Sequence, residues 1–116
     1  MQDTDKKQNN FLKKLKELDL KIDIEKEKVK HNNLIKEEFE NINASYNRCL
    51  DILSRSATGK NINPKYNELY SKNRNEFNKT IDYLDSQNSQ LQKNINAYLE
   101  EREVIRKKSK EEKESN

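Results

Sequence analysis

The sequence has almost no residues that interrupt regular secondary structure. Its 116 residues include one Gly and one Pro, whereas strand-rich domains and flexible linkers need many more of both. Tryptophan is absent, 30% of the residues are hydrophobic, and the mean hydropathy is −1.37. This is too little apolar side chain for a compact core, so we expect a single elongated, all-α domain.

Residues that carry chemistry are equally scarce. Cys49 has no second cysteine to pair with, and a packed thiol on a helix is its simplest interpretation. His31 lies among Lys and Asn residues, with no second His or Cys nearby to share a metal ion. A single Gly excludes a glycine-rich phosphate loop. We therefore expect no enzymatic activity, no cofactor and no metal site.

Long apolar runs are also missing. No stretch approaches the roughly 20 apolar residues that a membrane-spanning helix needs, and residues 1–10 lack the apolar region of a signal peptide. Together with the lone cysteine, this predicts a cytoplasmic protein with no membrane span. The alternative is export of the chain together with a partner.

Charged residues are abundant and of both signs. They make up 39% of the chain, yet the formal net charge is only +3, which is typical of exposed helices with interleaved Lys and Glu. Lysines crowd residues 13–30, but acidic residues alternate with them and arginine is scarce. We therefore expect no nucleic-acid partner and, for the same reason, no membrane contact through residues 11–24.

Both residues that interrupt helices fall in one segment at the middle of the chain, residues 56–64. Gly59 suits the end of a helix, and Asn63 followed by Pro64 suits the start of the next one. The alternative, a kink in one continuous helix, is less favoured because nine residues of this type normally form a connection. We predict an antiparallel, coiled-coil-like hairpin with a flexible N-terminus at 1–10, a first helix at 11–55, a turn at 56–63, a second helix at 64–110 and a disordered tail at 111–116.

Apolar residues recur along the first predicted helix in steps of four and three, which indicates a narrow helical seam. The first part of this seam consists of Phe11, Leu15, Leu18, Ile22 and Val29, with Glu25 at the missing position. After a step of six residues it resumes as Ile35, Phe39, Ile42, Tyr46, Cys49 and Leu53. The loss of one residue from a heptad predicts irregular winding, or a change of partner face, near residues 31–33.

The second predicted helix carries a heptad row without a gap: Tyr70, Phe77, Leu84, Leu91, Tyr98 and Ile105. A companion row four residues later mixes aliphatic and polar side chains: Arg74, Ile81, Asn88, Ile95 and Arg102. The polar members Arg74, Asn88 and Arg102 are candidates for fixing register and partner choice. The candidate partner-binding residues of the helix seam are Phe39, Tyr46, Tyr70, Phe77, Ile81, Leu84, Leu91, Ile95, Tyr98 and Ile105.

A third set of apolar residues broadens both helices beyond a two-helix seam. Its members are Leu12, Leu20, Ile24, Leu34, Leu50, Ile52, Leu69, Tyr83, Leu99 and Val104. Three apolar positions per heptad are typical of helices in three- or four-helix assemblies. We therefore expect the hairpin to complete a larger helical bundle with another protein.

Two helices of equal length, a midpoint turn with the only Gly, and a polar composition resemble the small WXG-superfamily-like proteins of bacterial type VII secretion. More narrowly, the chain is similar to the helical-hairpin partners of LXG toxins. The resemblance covers residues from about 11 to 110 and implies a targeting or chaperone role toward the toxin's helical N-terminal LXG domain. A second small helical protein is a further partner that the resemblance implies.

The chain departs from the family pattern at two points. Ala57-Thr58-Gly59 stands where the Trp-x-Gly turn would be, and Tyr98 is followed four residues later by Arg102 where the export signature has an acid. The resemblance therefore implies an accessory partner that clasps the toxin while another protein supplies the signal. The alternative is a structural coiled coil that forms homodimers or larger homo-oligomers, such as a phage or cytoskeletal spacer.

Overall fold

The computed structural model describes residues 2–56 and 63–114, and the side chains of residues 5–55 and 65–114. All described residues are helical. Helix α1 spans Gln2–Ser56, and helix α2 spans Asn63–Glu114. Lys, Glu and Leu, which favour helices, are common in both, and neither contains Gly. The predicted all-α class and antiparallel two-helix hairpin are confirmed.

The helices divide into two compact units, which we describe separately. The terminal unit consists of Met1–Lys30 and Asn88–Asn116, and the central unit consists of His31–Gln87. The boundary in α1 falls at the residues where the sequence predicted a change of phase. Residues 31–33 remain α-helical, so the winding is not interrupted there.

In the terminal unit, α1 and α2 run antiparallel and bury an aliphatic seam. Residues of increasing number on α1 meet residues of decreasing number on α2, from the Lys7–Glu112 ion pair at 2.8 Å to the Asp19–Arg102 pair at 3.1 Å. The buried hydrophobic residues of this unit are Leu18, Ile22, Ile95 and Ile105. Each contributes about 1.5–3 kcal/mol through burial, so this seam is the main source of stability in the unit.

The terminal seam also contains a buried acid. Glu25, which occupies the missing position of the apolar row, is buried at 8% exposure. One carboxylate oxygen accepts a hydrogen bond from Lys28 Nζ at 3.3 Å, and the other accepts one from Asn94 Nδ2 at 3.2 Å. Because both oxygens have donors, the charge is compensated, and the pair with Asn94 fixes the register of the two helices.

Both helices extend further than the sequence predicted. Residues 2–10 and 111–114 are helical, although we expected a flexible N-terminus and a disordered tail. Cross-helix contacts continue past Phe11, since Ser109 Oγ donates to Gln8 Oε1 at 2.8 Å and Gln8 Nε2 donates to the Ser109 carbonyl at 3.2 Å. We had set the predicted helix bounds by the apolar periodicity, whereas polar side chains join the two helices in these outer turns.

The predicted turn, with Gly59, lies largely outside the described residues, and Pro64 is the second residue of α2.

The terminal seam can be tested with two neighbouring positions of α1. Ile22 is 4% exposed and Leu20 is 62% exposed. We expect Ile22→Ala to lower the free energy of unfolding by about 2–5 kcal/mol, because it leaves a cavity. Leu20→Ala should change it by less than about 0.5 kcal/mol. Urea unfolding followed by circular dichroism measures both, and equal effects would contradict this seam.

Candidate functional site

The central unit brings α1 and α2 together through a seam that differs in character from the terminal one. Phe39 of α1 stacks on Phe77 of α2, with ring centroids 5.5 Å apart and planes 2° from parallel. Leu50 and Leu84 are buried in the same unit. The stacked aromatic pair and these two leucines are the apolar contribution to this seam.

The rest of the central seam is held by polar side chains. Asn73 Nδ2 donates to Asn43 Oδ1 at 2.7 Å and to Asn47 Oδ1 at 3.3 Å. The Tyr70 hydroxyl donates to the Asn47 carbonyl at 3.0 Å and also contacts the Asp51 carboxylate. Hydrogen bonds of this kind are directional, so they fix which face of α1 points toward α2.

This arrangement corrects the predicted seam in the second half of α1. Of the six residues from Ile35 to Leu53 that we assigned to it, Phe39 faces α2, whereas the other five lie on exposed parts of the helix: Ile35, Ile42, Tyr46, Cys49 and Leu53. Leu50, which we had placed outside the seam, is 4% exposed. The physical reason is that Lys36, Asn43 and Asn47 find polar partners on α2, which keeps the seam in phase and turns the apolar row outward.

A second correction concerns α2. Arg74, expected in the seam, is exposed, and its neighbour Asn73 makes the contacts with α1. Arg74 instead lines a polar groove on one side of the unit, together with Asn43, Asn47, Tyr70, Ser71, Phe77 and Asn78. Its predicted seam position is therefore wrong, whereas a role in partner choice stays a prediction.

The remaining predicted residues lie in or beside the seams of their own units. Leu84, Ile95 and Ile105 are buried, and the half-buried members are Phe39, Tyr70, Phe77, Ile81, Leu91, Tyr98, Asn88 and Arg102. Arg102 Nε is buried 3.1 Å from Asp19 Oδ1, but its N–H is not aimed well enough for a hydrogen bond.

Five exposed apolar residues of the central unit lie on one face of α1, whereas the exposed Leu34 and Ile52 lie about 100° further round this helix and the exposed Tyr83 lies on α2. We call Ile35, Ile42, Tyr46, Cys49 and Leu53 the outer stripe. They follow one another in steps of seven, four, three and four, so their side chains leave the helix in nearly the same direction. Ile42 is 65% exposed and Leu53 is 53% exposed. The outer stripe is therefore a contiguous apolar patch on the surface of a chain in which only 30% of the residues are hydrophobic.

Beside the outer stripe lies a groove between α1 and α2. Its lining residues are Tyr46 of α1 and Leu69, Lys72, Asn73 and Glu76 of α2. Tyr46 and Leu69 give it an apolar floor, and Lys72 and Glu76 place charged groups at its α2 edge. A groove with an apolar floor and charged edges suits an amphipathic helix.

The described residues of the terminal unit include exposed apolar side chains but form no comparable stripe. Leu12, Leu20 and Ile24 on α1 are exposed, as are Leu99 and Val104 on α2. Leu12 and Leu20 are eight residues apart, which places them about 80° apart around the helix, and Ile24 is further round still. Apolar residues scattered in this way are ordinary on a protein surface. The outer stripe is therefore specific to the central unit.

Sequence reasoning missed the polar contacts of the central seam: Asn43, Asn47, Asp51 and Asn73, and the Lys36–Asp85 ion pair at 3.0 Å. A possible signal was the spacing of Asn43 and Asn47, four residues apart on one helix face, opposite Tyr70 and Asn73 across an antiparallel turn. A hydropathy pattern predicts contacts between apolar side chains only, so it does not predict these contacts between polar residues.

Within the described residues, no three His, Cys, Asp or Glu side chains converge on a point where they could hold a metal ion. Among the same residues, neither helix has a segment long and apolar enough to cross a membrane.

Comparison with protein-family models, curated proteins and solved structures finds no match. The candidate site is therefore defined by geometry: the outer stripe and the groove beside it.

Two titratable groups of the central unit have shifted pKa values. The hydrogen bond to Asp51, followed by burial and the charge of Asp51, raises the pKa of Tyr70 above its ordinary 10.0. The hydrogen bond to Asp85, together with its charge, raises the pKa of Lys36 above 10.5. In both cases the folded chain holds its proton at a pH where the unfolded chain releases it, so the free energy of unfolding falls as pH rises past the ordinary values.

We expect this alkaline loss to be smaller in Tyr70→Phe, which has no phenol to ionise at that position. The thermal midpoint of the wild type should fall more steeply than that of Y70F between about pH 9.5 and 11. Asp51→Asn is the matched control: it keeps the phenol but removes the carboxylate, so the Tyr70 pKa should return toward 10.0. Parallel curves for wild type and Y70F would contradict the coupling of Tyr70 to folding.

Proposed function

We propose that this chain is a non-enzymatic helical adaptor that binds an α-helix of another protein along the outer stripe of its central unit. The observation that carries the proposal is the exposure of five aligned apolar side chains, Ile35 to Leu53, on one face of α1. Each aliphatic member would contribute about 1.5–3 kcal/mol if a partner buried it fully. Micromolar affinity corresponds to about 8 kcal/mol beyond the costs of association, so a partner must cover the whole stripe and the adjoining groove and not only two or three of its residues.

The geometry of the stripe favours a helix over other shapes of partner. From Ile35 to Leu53 it covers 18 residue steps, or about 27 Å of helix. Its steps of three, four and seven are those by which two helices interlock side chains. The adjoining groove between Tyr46 and Leu69 lets the bound helix contact α2 as well.

Within this class, we propose an accessory targeting or chaperone role toward the LXG domain of a type VII secretion toxin. Support comes from the resemblance of the sequence to small helical partners of such toxins, and from an apolar face suited to their long helices. The absence of the Trp-x-Gly turn favours the accessory role. On this proposal the chain acts in the cytoplasm and leaves the cell only together with the toxin.

The alternative is a homo-oligomeric structural coiled coil, in which the outer stripes of two copies bury each other. The exposed stripe is the observation that favours it, because apolar residues spaced as heptads also drive self-association. The two functions differ in what covers Ile42 and Leu53: a foreign helix in the first case and a second copy in the second.

Binding to the LXG domain of a toxin from the same genome tests the proposal. The wild type should form a complex of defined stoichiometry, and Ile42→Ala combined with Leu53→Ala should weaken it at least tenfold. Both residues are more than half exposed in the free chain, so the double variant should keep its helicity. Calorimetry gives the dissociation constants and light scattering gives the stoichiometry.

Leu12→Ala combined with Leu20→Ala is the matched control. These leucines are 55% and 62% exposed but belong to the terminal unit, so we expect unchanged affinity. An equal loss in both double variants would contradict the outer stripe as the binding face. A stable homodimer that ignores the LXG domain and dissociates in the stripe variant would favour the structural coiled coil.

A further inference from the structure

The groove beside the outer stripe has a row of lysines along its α2 edge. Lys72 lines the groove, and Lys65 and Lys79 lie one heptad before and after it on the same side of α2. All three are exposed. Residues seven apart on a helix project in nearly the same direction, so the three ammonium groups form one line beside the groove.

These lysines have no ion-pair partner among the described residues of the chain. Glu76 also lines the groove and lies four residues after Lys72, and the exposed Glu68 lies four residues before it, so two carboxylates stand against three ammonium groups at this edge. The α1 flank of the outer stripe is different. It carries Ser45 and Ile52, with Glu38 at one end, so positive charge is concentrated on the α2 side.

We infer that the groove binds an amphipathic helix of a different protein whose flank toward α2 carries Asp or Glu residues at intervals of seven. Apolar side chains of that helix cover the outer stripe, and its carboxylates pair with Lys65, Lys72 and Lys79. This inference rests on the proposed adaptor function and adds the chemical class of the partner and its orientation in the groove.

A second copy of the chain does not fit this groove. Its 21 acidic residues include no two that are seven positions apart, so no helix of the chain presents a row of carboxylates that matches the lysine row. The pattern therefore selects for a heterologous partner and against self-association at this face.

The test uses the full chain and two synthetic helices of about four heptads with the same apolar core positions. The acidic probe carries Glu at the flanking positions, and the basic probe carries Lys there. Fluorescence anisotropy should show that the wild type binds the acidic probe at least tenfold more tightly than the basic one. This preference should shrink as salt is added.

Two triple variants locate the effect. Lys65→Gln, Lys72→Gln and Lys79→Gln together should weaken binding of the acidic probe about tenfold, the sum expected of three exposed ion pairs. Lys93→Gln, Lys107→Gln and Lys110→Gln remove the same charge from exposed positions of α2 in the terminal unit and should change it less than about twofold. Equal losses in the two triple variants would overturn the inference.

The remaining outcomes separate this inference from the adaptor function itself. If both probes bind equally and only the Ile42→Ala, Leu53→Ala variant loses them, the adaptor function stands and the acidic-partner inference falls. If the wild type binds neither probe, or dimerises through the outer stripe, the inference is also overturned. Binding to anionic lipid vesicles that depends on the lysine row, with no preference between the probes, would assign the row to a membrane surface instead.

Discussion

The rotation of α1 about its own axis in the central unit determines what this unit presents to other molecules. Neighbouring residues of an α-helix project about 100° apart, so α1 cannot direct both Asn43 and Ile42 toward α2. The hydrogen bond between Asn73 and Asn43 and the stacking of Phe39 on Phe77 select the polar face. Ile42 and Leu53 consequently point away from α2, and Tyr46 lies at the edge of the groove beside Leu69. The exposed apolar face is thus a direct result of which side chains pair inside the hairpin.

The two units differ in which face of α1 packs against α2. In the terminal unit the apolar row of α1 faces α2, and Leu18 and Ile22 are buried together with Ile95 and Ile105. In the central unit, Leu50 and Leu84 are the buried hydrophobic residues among those described, and amide and phenol groups make up much of the contact. A hydrogen bond adds only about 0.5–1.5 kcal/mol, because water offers the same bond to the unfolded chain. The central seam therefore gives specificity of pairing more than it gives stability.

Sequence pattern predicted the class of fold, the hairpin and most of the α2 seam, because an unbroken heptad row leaves one consistent face. Leu84 and Ile105 of that row are buried, as is Ile95 of the companion row. It failed in the second half of α1. There the sequence offers two seams about 100° apart, one apolar and one polar, and hydropathy always prefers the apolar one. The decision depends on Tyr70 and Asn73, which lie far away in sequence and supply partners to Asn47 and Asn43. No local pattern contains that information.

A polar seam beside an exposed apolar stripe also links binding to the stability of the central unit. A partner that binds only the folded hairpin stabilises it by RT ln(1 + [L]/Kd), which is about 2.7 kcal/mol at a hundredfold excess over Kd. This is comparable to burying another one or two aliphatic side chains in the seam. A helix that covers Ile42 and Leu53 would thus add apolar contacts on the outer side of α1, in a unit whose seam between α1 and α2 buries few aliphatic side chains. Because Ile42 and Leu53 are more than half exposed in the free chain, replacing them removes contacts to the partner with little effect on the free hairpin.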